Sequence, residues 1–572
     1  MFRSTSIWLA LITALAACIV AGAQTPSSSS TQQSDKFADA QSWNQVVRNL
    51  APVHLRTADQ DFDYGMALAH LERWNEATRA LHQGSRLAPR DPRFPVELAG
   101  IAFRQKRNAL AERRLLAALR LDPHDTYANN FLATLYFLDG NLEAALKYWN
   151  RIGKPQIDEV NEDPVPRVSP ALLDHAFAFA PASKLLLSQY LATQSRLRAL
   201  GIFPAWHLDL DTRPGGTFDA DFRARELTGL GGAGWENLFL VFRGLPFQQI
   251  EPDLWNIHRR AINFDSLFRW DAQKRRVFAE LSGPFEHGAK YRWQFSTDLR
   301  NENWALRNGF TGAAPVLASF NMRTERGGFD LASYASGRIG WRAGAELSHR
   351  DFRNVAAGGV LTPQMLARGY ELKQLTQLDA TLWRIPEHRF TLTAGADSQV
   401  ARLWSRPSTT GPGVGIGSFE KLSGSIAWRW FPRPQGDDFE TTQQFRAGRI
   451  FGQAPFDELY ILGLERDNDL PMRAHIGTRD GRKGSAPPGS QFFLENWELD
   501  KNLYANGLMK LQLGPLFDIG KITDPGTALG SHEWLFDTGA QLKLRVFGEG
   551  LGFSYGKDLR TGNNAWYVNL LN

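Results

Sequence analysis

The sequence predicts a multidomain α + β fold, with an N-terminal α-solenoid, a small α+β domain and a C-terminal transmembrane antiparallel β-barrel of about 16 strands. Three observations carry this prediction: a 34-residue repeat, an alternation of apolar and polar residues towards the C-terminus, and an N-terminal export signal. A chain of 572 residues is long enough for two to four domains. After the export signal no stretch has about 18 consecutive apolar residues, so a membrane contact would need a barrel or a lipid anchor.

The bulk composition narrows the classes of function. The formal net charge of +5 is small for this length, so no nucleic-acid partner is expected. Hydrophobic residues at 43% and charged residues at 22% are ordinary for a folded protein. The 51 glycines indicate many turns.

Residues 1–23 have the pattern of a signal peptide. Arg3 supplies the positive charge, residues 7–20 form the apolar core, and small residues ending at Ala23 form the cleavage site. The run Leu-Ala-Ala-Cys ending at Cys18 also matches a lipobox, so a lipidated Cys18 is the alternative. Cleavage after Ala23 would leave a mature chain without cysteine, which suits an oxidising compartment.

A 34-residue repeat fills residues 58–155, after a polar linker and capping helix predicted at 24–57. Small residues let paired helices approach closely, larger ones fill the groove, and proline ends the second helix. The recurring positions are Gly65, Ala77, Leu81, Pro89, Ala99, Ala111, Leu115, Pro123, Ala133, Ala145 and Trp149. The pattern resembles the tetratricopeptide repeat family, which implies binding of peptides or proteins. The alternative is a spacer without a ligand.

Residues 156–224 are predicted to form a small α+β domain. The stretch 156–165 is rich in Asp, Glu and Pro, which predicts a linker at its start. A helix ending at Gly201 and a strand from Ala205 to Asp211 follow. The run 197–203 resembles the helix-to-strand turn of a polypeptide-transport-associated (POTRA) domain. An unrelated α+β linker domain is the alternative.

Residues 225–572 change from helical periodicity to a period of two. Tyr291, Phe295 and Leu299, for example, alternate with polar residues. Strands of about 9–11 residues with one apolar face are what a tilted transmembrane strand needs. A soluble β-sandwich or propeller would also alternate, but the region has no blade repeat. The pattern therefore favours an outer-membrane β-barrel.

Two separated motifs in this region predict a charge-assisted pair. Arg473 lies in the loop sequence Leu-Pro-Met-Arg-Ala-His, and Asp518 lies on a strand in Phe-Asp-Ile-Gly, between Phe517 and Gly520. An arginine from a long loop and an aspartate on a strand can fix the loop inside a barrel. The alternative is that the two are independent, solvated residues.

The order of these motifs resembles the bacterial surface antigen family of outer-membrane barrels, which includes assembly factors and two-partner-secretion transporters. The resemblance implies that Arg473 is the loop residue, that Asp518 is its partner, and that Glu498 is a lumen-facing acid. This chain departs from the family pattern because Ala474 and His475 stand where a glycine and an aromatic residue are usual.

Enzymatic signatures are missing from the sequence, and no catalytic residue, cofactor or metal site is predicted. Asp467-Asn468-Asp469 has oxygen ligands that calcium would accept, but a turn is the simpler interpretation. The Gly-rich run 229–234 is interpreted as a flexible hinge before the barrel.

The sequence and the resemblance together predict a protein of a Gram-negative-type outer membrane with its N-terminal domains in the periplasm. It would assemble, insert or translocate polypeptides, and its partners would be outer-membrane lipid and client or periplasmic proteins. Two alternatives are a polysaccharide-export porin with a tetratricopeptide region and a surface-attached lipoprotein with a soluble β-rich binding domain.

Overall fold

Helices occupy the first part of the chain and antiparallel strands the last. The computed structural model describes residues 31–572 except 233, 286–287, 308–313, 357, 406–414, 433–437, 506–508, 532, 547–548 and 572, so the predicted signal peptide and Cys18 lie outside the described residues. The chain divides into two compact units between Leu135 and Tyr136. The helices are α1 (Thr31–Leu50), α2 (Ala58–His70), α3 (Trp74–Leu87), α4 (Arg93–Arg104), α5 (Asn108–Leu121), α6 (Thr126–Leu138), α7 (Leu142–Trp149), α8 (Pro170–Ala176), α9 (Leu187–Leu200) and α10 (Trp235–Phe242).

The 34-residue repeat coincides with consecutive helices. At Gly65 an added Cβ would lie 2.6 Å from Leu81 Cγ, so the glycine lets α2 and α3 approach closely. Pro89 and Pro123 follow the ends of α3 and α5, where a helix cannot continue through proline. The repeat positions that are buried are Gly65, Ala77, Leu81, Ala99, Ala111, Leu115, Ala133, Ala145 and Trp149. The N-terminal helices are thus confirmed, while their arrangement as a solenoid stays a prediction.

Helix α1 packs against the helical core, while its role as a cap stays a prediction. Val47 is buried in that core, and Trp43 packs against it. The ring of Trp43 stacks on His70 with centroids 4.2 Å apart.

Strands begin after α7. The first four are β1 (Gln156–Glu162), β2 (Ser183–Lys184), β3 (Ala205–Thr212) and β4 (Phe218–Arg225). The others are β5 (Gln249–Ile250), β6 (Leu254–Ile257), β7 (Ile262–Arg269), β8 (Lys274–Phe285), β9 (Gly288–Arg307), β10 (Val316–Ser333), β11 (Ile339–Ala356), β12 (Gly369–Ile385), β13 (Phe390–Trp404), β14 (Gly415–Trp430), β15 (Phe439–Gly452), β16 (Tyr460–Ile461), β17 (Thr478–Arg479), β18 (Arg482–Lys483), β19 (Pro488–Gly489), β20 (Gln491–Ala505), β21 (Met509–Thr523), β22 (Leu535–Val546), β23 (Glu549–Asp558) and β24 (Asn564–Leu571).

The first four strands form a small mixed sheet in the order β2-β1-β4-β3, in which β1 is parallel to β4. The prediction of a linker at 156–165 is wrong for most of its length, because β1 lies there. The backbone of β1 pairs with strands on both sides, and its acidic side chains find partners at the surface, as Glu159 does with Arg213 at 2.7 Å. The predicted helix end is correct, since α9 stops at Leu200 and Gly201 has φ +67°.

The remaining long strands form one antiparallel sheet in which neighbours in sequence pair with one another. Fourteen of its strands have eight residues or more, and β5 and β6 both pair with β7 as one interrupted strand. The described residues therefore supply fifteen strands, against the prediction of about 16. The strand order is that of a barrel, with β24 next to β5.

Side chains on the sheet alternate as the sequence predicts. On β9, Tyr291, Phe295 and Leu299 are exposed on the outer face, whereas Arg292 and Asp298 are partly covered on the inner one. A strand places successive side chains on opposite faces, so each register fixes which residues face inward.

The connections between strands differ in length at the two ends of the sheet. Those at one end have two to eight residues: 258–261, 286–287, 334–338, 386–389, 431–438, 506–508 and 547–548. Those at the other end are mostly longer: 308–315, 357–368, 405–414, 453–490 and 524–534, beside the two shorter connections 270–273 and 559–563. We call these the short-turn end and the long-loop end.

Elements from before the barrel attach at the short-turn end. In helix α7, Lys147 Nζ lies 2.5 Å from Glu387 Oε1, and the Tyr148 hydroxyl donates to the same oxygen at 2.7 Å. Arg196 of α9 donates to the carbonyl of Ala335 at 3.3 Å.

Among the described helices, none is long and apolar enough to cross a membrane.

The Glu387 contact predicts a pH dependence. Burial alone would raise the pKa of Glu387, but hydrogen bonds from Lys147 and Tyr148 lower it below the ordinary glutamate value. The carboxylate therefore stabilises the attachment of α7 above the unfolded pKa, which is about 4.3, and this contribution is lost as the pH falls through the lowered folded pKa. Glu387→Gln should remove about 1.5–3 kcal/mol of this attachment at neutral pH.

Hydrogen exchange of α7 measured at pH 7 and at pH 3 checks this prediction. Wild type should exchange faster at the lower pH after correction for intrinsic rates, and Glu387→Gln should exchange fast at both. The exposed Glu420 provides the control, as Glu420→Gln should behave like wild type. Slow exchange of α7 in Glu387→Gln at pH 7 would contradict the account.

Candidate functional site

The candidate site is built by one long loop, residues 453–490, which we call the inner loop. It leaves β15 and returns in β20, and these two strands pair directly with each other. Adjacent antiparallel strands need only a few residues to connect, and connections longer than about 12–15 residues are usually functional. The loop side chains contact inward-facing residues of the sheet, so the loop lies against the inner wall.

Arg473 of the inner loop and Asp518 of β21 form a multiply bonded pair. Arg473 Nε lies 2.9 Å from Asp518 Oδ2 and 3.1 Å from Oδ1, and the Nη2 group donates to Oδ1 as well. The backbone N–H of Arg473 donates to Oδ2 at 3.0 Å. Arg473 is 6% exposed and Asp518 is 0% exposed, so neither charge is solvated by bulk water. The structure thus brings together the two residues singled out in the sequence.

Glu498 of β20, which was predicted to be a lumen-facing acid, joins the same network. Arg473 donates through Nη1 to Glu498, and Lys543 Nζ lies 2.5 Å from the other Glu498 oxygen. Lys543 also contacts Asp500 at 2.7 Å. Arg473 is therefore held between two carboxylates, and the second carboxylate shares a lysine with a third.

Asp518 is the first of three aspartates that lie side by side on neighbouring strands of the wall. Asp518 of β21 stands directly opposite Asp537 of β22, which in turn stands directly opposite Asp558 of β23. All three are buried. Like charges directly across neighbouring strands repel one another, so the row needs cations or hydrogen-bond donors from elsewhere.

Three consecutive residues of the inner loop meet this row. Arg473 binds Asp518, the Ala474 N–H donates to Asp537 Oδ2 at 2.6 Å, and His475 Nδ1 lies 2.9 Å from the same oxygen. His475 Nε2 lies 3.6 Å from Asp558 Oδ2. Burial alone would lower the pKa of His475, but the two aspartates raise it to about 9.

Two glycines lie where the inner loop packs closely against the strands of the wall. At Gly556 of β23 an added Cβ would lie 2.1 Å from the carbonyl oxygen of Arg473. At Gly520, a Cβ would lie 2.7 Å from Met472 Sδ and from Leu462 Cδ2. Both glycines therefore give room to the inner loop. Ala474 is not among the described residues with positive φ, so its Cβ is compatible with this turn and no glycine is needed there.

The start of the inner loop carries acids that meet basic side chains of the wall. Asp457 accepts from Arg326 at 2.9 Å and lies 2.9 Å from Arg350, and Glu458 accepts from Lys373 at 2.8 Å. Burial alone would raise the pKa of Glu458, but Lys373 and Arg326 bring it well below the usual range.

Asp467 is more than the turn residue that the sequence suggests. It has the positive φ of a turn, +64°, but its carboxylate is buried against Arg269 of β7 at 2.8 Å and Arg276 of β8 at 2.6 Å. The pKa of Asp467, which burial alone would raise, is lowered by Lys483, Arg276 and Arg269. The local sequence predicted only the turn. It could not reveal the ion pairs of Asp467, because Arg269 and Arg276 lie about 190 residues away in the sequence.

The inner loop and the wall are therefore complementary in charge. Loop acids meet basic residues of β7 to β12, and Arg473 and His475 of the loop meet acids of β20 to β23. Lys483 of the loop pairs instead with Glu302 of β9, at 2.7 Å. Sequence analysis found the Arg473 side of this arrangement but missed Asp457, Glu458, Asp467 and His475. The sequence did contain one signal for these contacts. Asp537 and Asp558 are single charged residues at strand positions whose side chains point inward.

Apolar packing supplements these ion pairs. The ring of Phe456 meets those of Trp304 and Phe320 edge-on, both with centroids 5.0 Å apart. Beside the loop, a cavity of about 680 Å³ remains between it and the wall. Its wall includes Gln377, Gln399, Ser423, Ser425 and Gln444.

Other residues from the sequence motifs fall outside this contact. Phe517, next to Asp518, points to the opposite face of β21 and is half-buried. The Gly-rich run 229–234 is no simple hinge: Gly231 packs against Leu240 and Trp255, whose small core fixes it in place.

Comparisons with known proteins give remote similarities only. No family model matches the chain, and the curated proteins contain no match. BamA from Haemophilus ducreyi lacking POTRA domains 1–3 is similar over 73% of this chain and 84% of its own, with 10% identity and a TM-score of 0.39. CdiB from Escherichia coli is similar over 73% of this chain and 75% of its own, with 12% identity and a TM-score of 0.44. The first TPR of Spaghetti (RPAP3) bound to an HSP90 peptide is similar over 17% of this chain and 77% of its own, with 26% identity and a TM-score of 0.16.

The Arg473–Asp518 pair predicts strong, non-additive effects of mutation. Arg473→Ala or Asp518→Ala should each cost about 3–5 kcal/mol, because each leaves an uncompensated buried charge. The double variant should cost less than the sum of the two. The measurement is the urea midpoint for loss of the folded, heat-modifiable form on electrophoresis in lipid or detergent.

Arg353 and Asp351 serve as the control pair, with 2.8 Å between them and Arg353 49% exposed. Arg353→Ala should cost less than about 1 kcal/mol. Strictly additive effects of the two inner substitutions would refute the pair, and absence of any heat-modifiable form would refute the barrel.

Proposed function

We propose that this protein is an outer-membrane barrel that assembles, inserts or translocates polypeptides, and that its periplasmic helices bind client or partner proteins. The observation that carries the proposal is the inner loop docked against the barrel wall through Arg473 and Asp518. Chemistry on a substrate plays no part in this function. The barrel and its soluble attachments act by binding and positioning a polypeptide.

The outer face of the sheet supports a membrane location. Exposed apolar side chains recur there on successive strands, for example Phe295, Phe329, Leu347 and Leu372. Such a band is unfavourable in water and favourable in hydrocarbon. It also disfavours the alternative of a surface lipoprotein with a soluble β-rich domain.

The connections support an orientation. Outer-membrane barrels have short periplasmic turns and longer extracellular loops. Since α7 and α9 attach at the short-turn end, the preceding helices and the small sheet would lie in the periplasm. We propose that residues 58–155 act there as tetratricopeptide repeats and residues 156–224 as a POTRA-like module. Strand β3 is at an edge of its sheet and would accept an extended segment of client by strand addition.

A specific observation favours one other function. The cavity beside the inner loop is lined by amide, hydroxyl and many charged side chains, and such groups suit a polar polymer such as a polysaccharide. The inner loop argues against this alternative, because it occupies the inner space and is held there by ion pairs along its length. A wide, uniform sugar path would require those pairs to break.

Depletion of the protein in its own host tests the proposal. Depletion should lower the amounts of particular outer-membrane or secreted polypeptides, measured by quantitative mass spectrometry. Expression of wild type or Arg353→Ala in the depleted cells should restore these amounts. Expression of Arg473→Ala should restore less than one-tenth of the lost amount. Surface polysaccharide should stay unchanged throughout. Loss of surface polysaccharide with an unchanged set of outer-membrane and secreted proteins would instead establish the export porin.

A further inference from the structure

Three potential metal ligands lie together where the inner loop meets β22 and β23. His475, Asp537 and Asp558 come from the loop, β22 and β23, and one ligand atom from each lies within 4.8 Å of the others. All three residues are at least 97% buried. A buried imidazole between two carboxylates is a different arrangement from the Arg473–Asp518 pair.

The distances within the cluster differ in kind. The 2.9 Å between His475 Nδ1 and Asp537 Oδ2 is that of a hydrogen bond, whereas the 3.6 Å between Nε2 and Asp558 Oδ2 exceeds one. Two ligands of one tetrahedral ion, each bound at about 2.0–2.1 Å, lie about 3.3 Å apart. A small movement would therefore bring Nε2 and Asp558 onto a shared cation. Metal-bound histidine characteristically donates its other N–H to a carboxylate, and Asp537 stands where that carboxylate is needed.

The charge of the surrounding network independently favours a divalent cation. Arg473, Lys543 and His475 are directly paired with five carboxylates, those of Asp518, Glu498, Asp500, Asp537 and Asp558. These carboxylates outnumber the basic side chains by two in a buried place. A divalent cation bound among them would therefore reduce the excess of negative charge.

We propose that His475, Asp537 and Asp558 form a binding site for a divalent zinc-type cation that fastens the inner loop to the wall. His475 Nε2 and the Asp558 carboxylate are the direct ligands, and Asp537 orients the imidazole. A nitrogen and carboxylate donor set suits Zn²⁺ better than the all-oxygen set of Ca²⁺ or Mg²⁺. Asp558 is followed at the long-loop end by the exposed residues Leu559, Arg560 and Thr561.

Zinc binding to the mature full chain in detergent tests the proposal. After removal of metals with EDTA and dialysis against Zn²⁺ alone, wild type should bind one equivalent of zinc. His475→Gln and Asp558→Asn should bind at least tenfold more weakly. His349→Gln is the matched control, since His349 also lies near a carboxylate, with 3.9 Å to Glu325, but has no second one in the contacts described. It should bind like wild type.

A spectroscopic readout makes the test independent of folding defects. Co²⁺ in place of zinc should give the visible absorption of a nitrogen-ligated ion in wild type and a changed, thiolate-type spectrum in His475→Cys, because cysteine is itself a zinc-type ligand. Folded His475→Cys that binds neither ion would overturn the proposal, as would wild type without saturable binding. Equal binding by wild type and His475→Gln would also overturn it, by assigning the zinc to adventitious sites. None of these outcomes depends on transport activity, so the polypeptide function is tested separately.

Discussion

The row Asp518, Asp537 and Asp558 is the constraint on which the rest of the inner architecture depends. Three neighbouring strands place these carboxylates directly opposite one another, where they repel and are shielded from water. The wall is therefore incomplete without positive charge from the loop. Arg473 and His475 supply it, and the Ala474 N–H adds a donor between them. The loop binds the wall because each needs the other to neutralise its buried charges.

This interdependence explains features elsewhere in the barrel. Gly520 and Gly556 lie where the loop backbone and Met472 come closest, so the strands that carry the aspartates also provide the space beside them. The acids at the start of the loop meet basic side chains on other strands of the wall, namely Arg326, Arg350 and Lys373. A loop held at both ends of its path by opposite charges takes one position across the inner space, and it leaves a polar cavity on one side. In the function proposed above, this fixed element would shape the route of a polypeptide.

Sequence alone predicted the helical start, the antiparallel sheet and the residues Arg473 and Asp518, because periodicity and short motifs are local. It did not predict the partners of His475 and Asp467, since these depend on strand register and on contacts between residues far apart in the chain. The prediction of a linker at 156–165 rested on composition and was wrong for most of that stretch. Its residues are largely acidic, but backbone pairing on both sides makes β1 a strand. Whether alanine could stand at position 474 in place of glycine also depended on the backbone, which has no positive φ there.

Disulfide cross-linking tests the docked loop most directly. In a chain carrying Cys18→Ser, Met472→Cys and Gly520→Cys should form a disulfide on oxidation in isolated membranes, because a Cβ at position 520 would lie 3.4 Å from Met472 Cγ. Ile519→Cys with Met472→Cys is the matched control, since residue 519 faces the opposite side of β21. The account predicts a cross-linked, faster-migrating species for the 472–520 pair alone. No cross-link at 472–520, or equal cross-linking at 472–519, would contradict the docked loop.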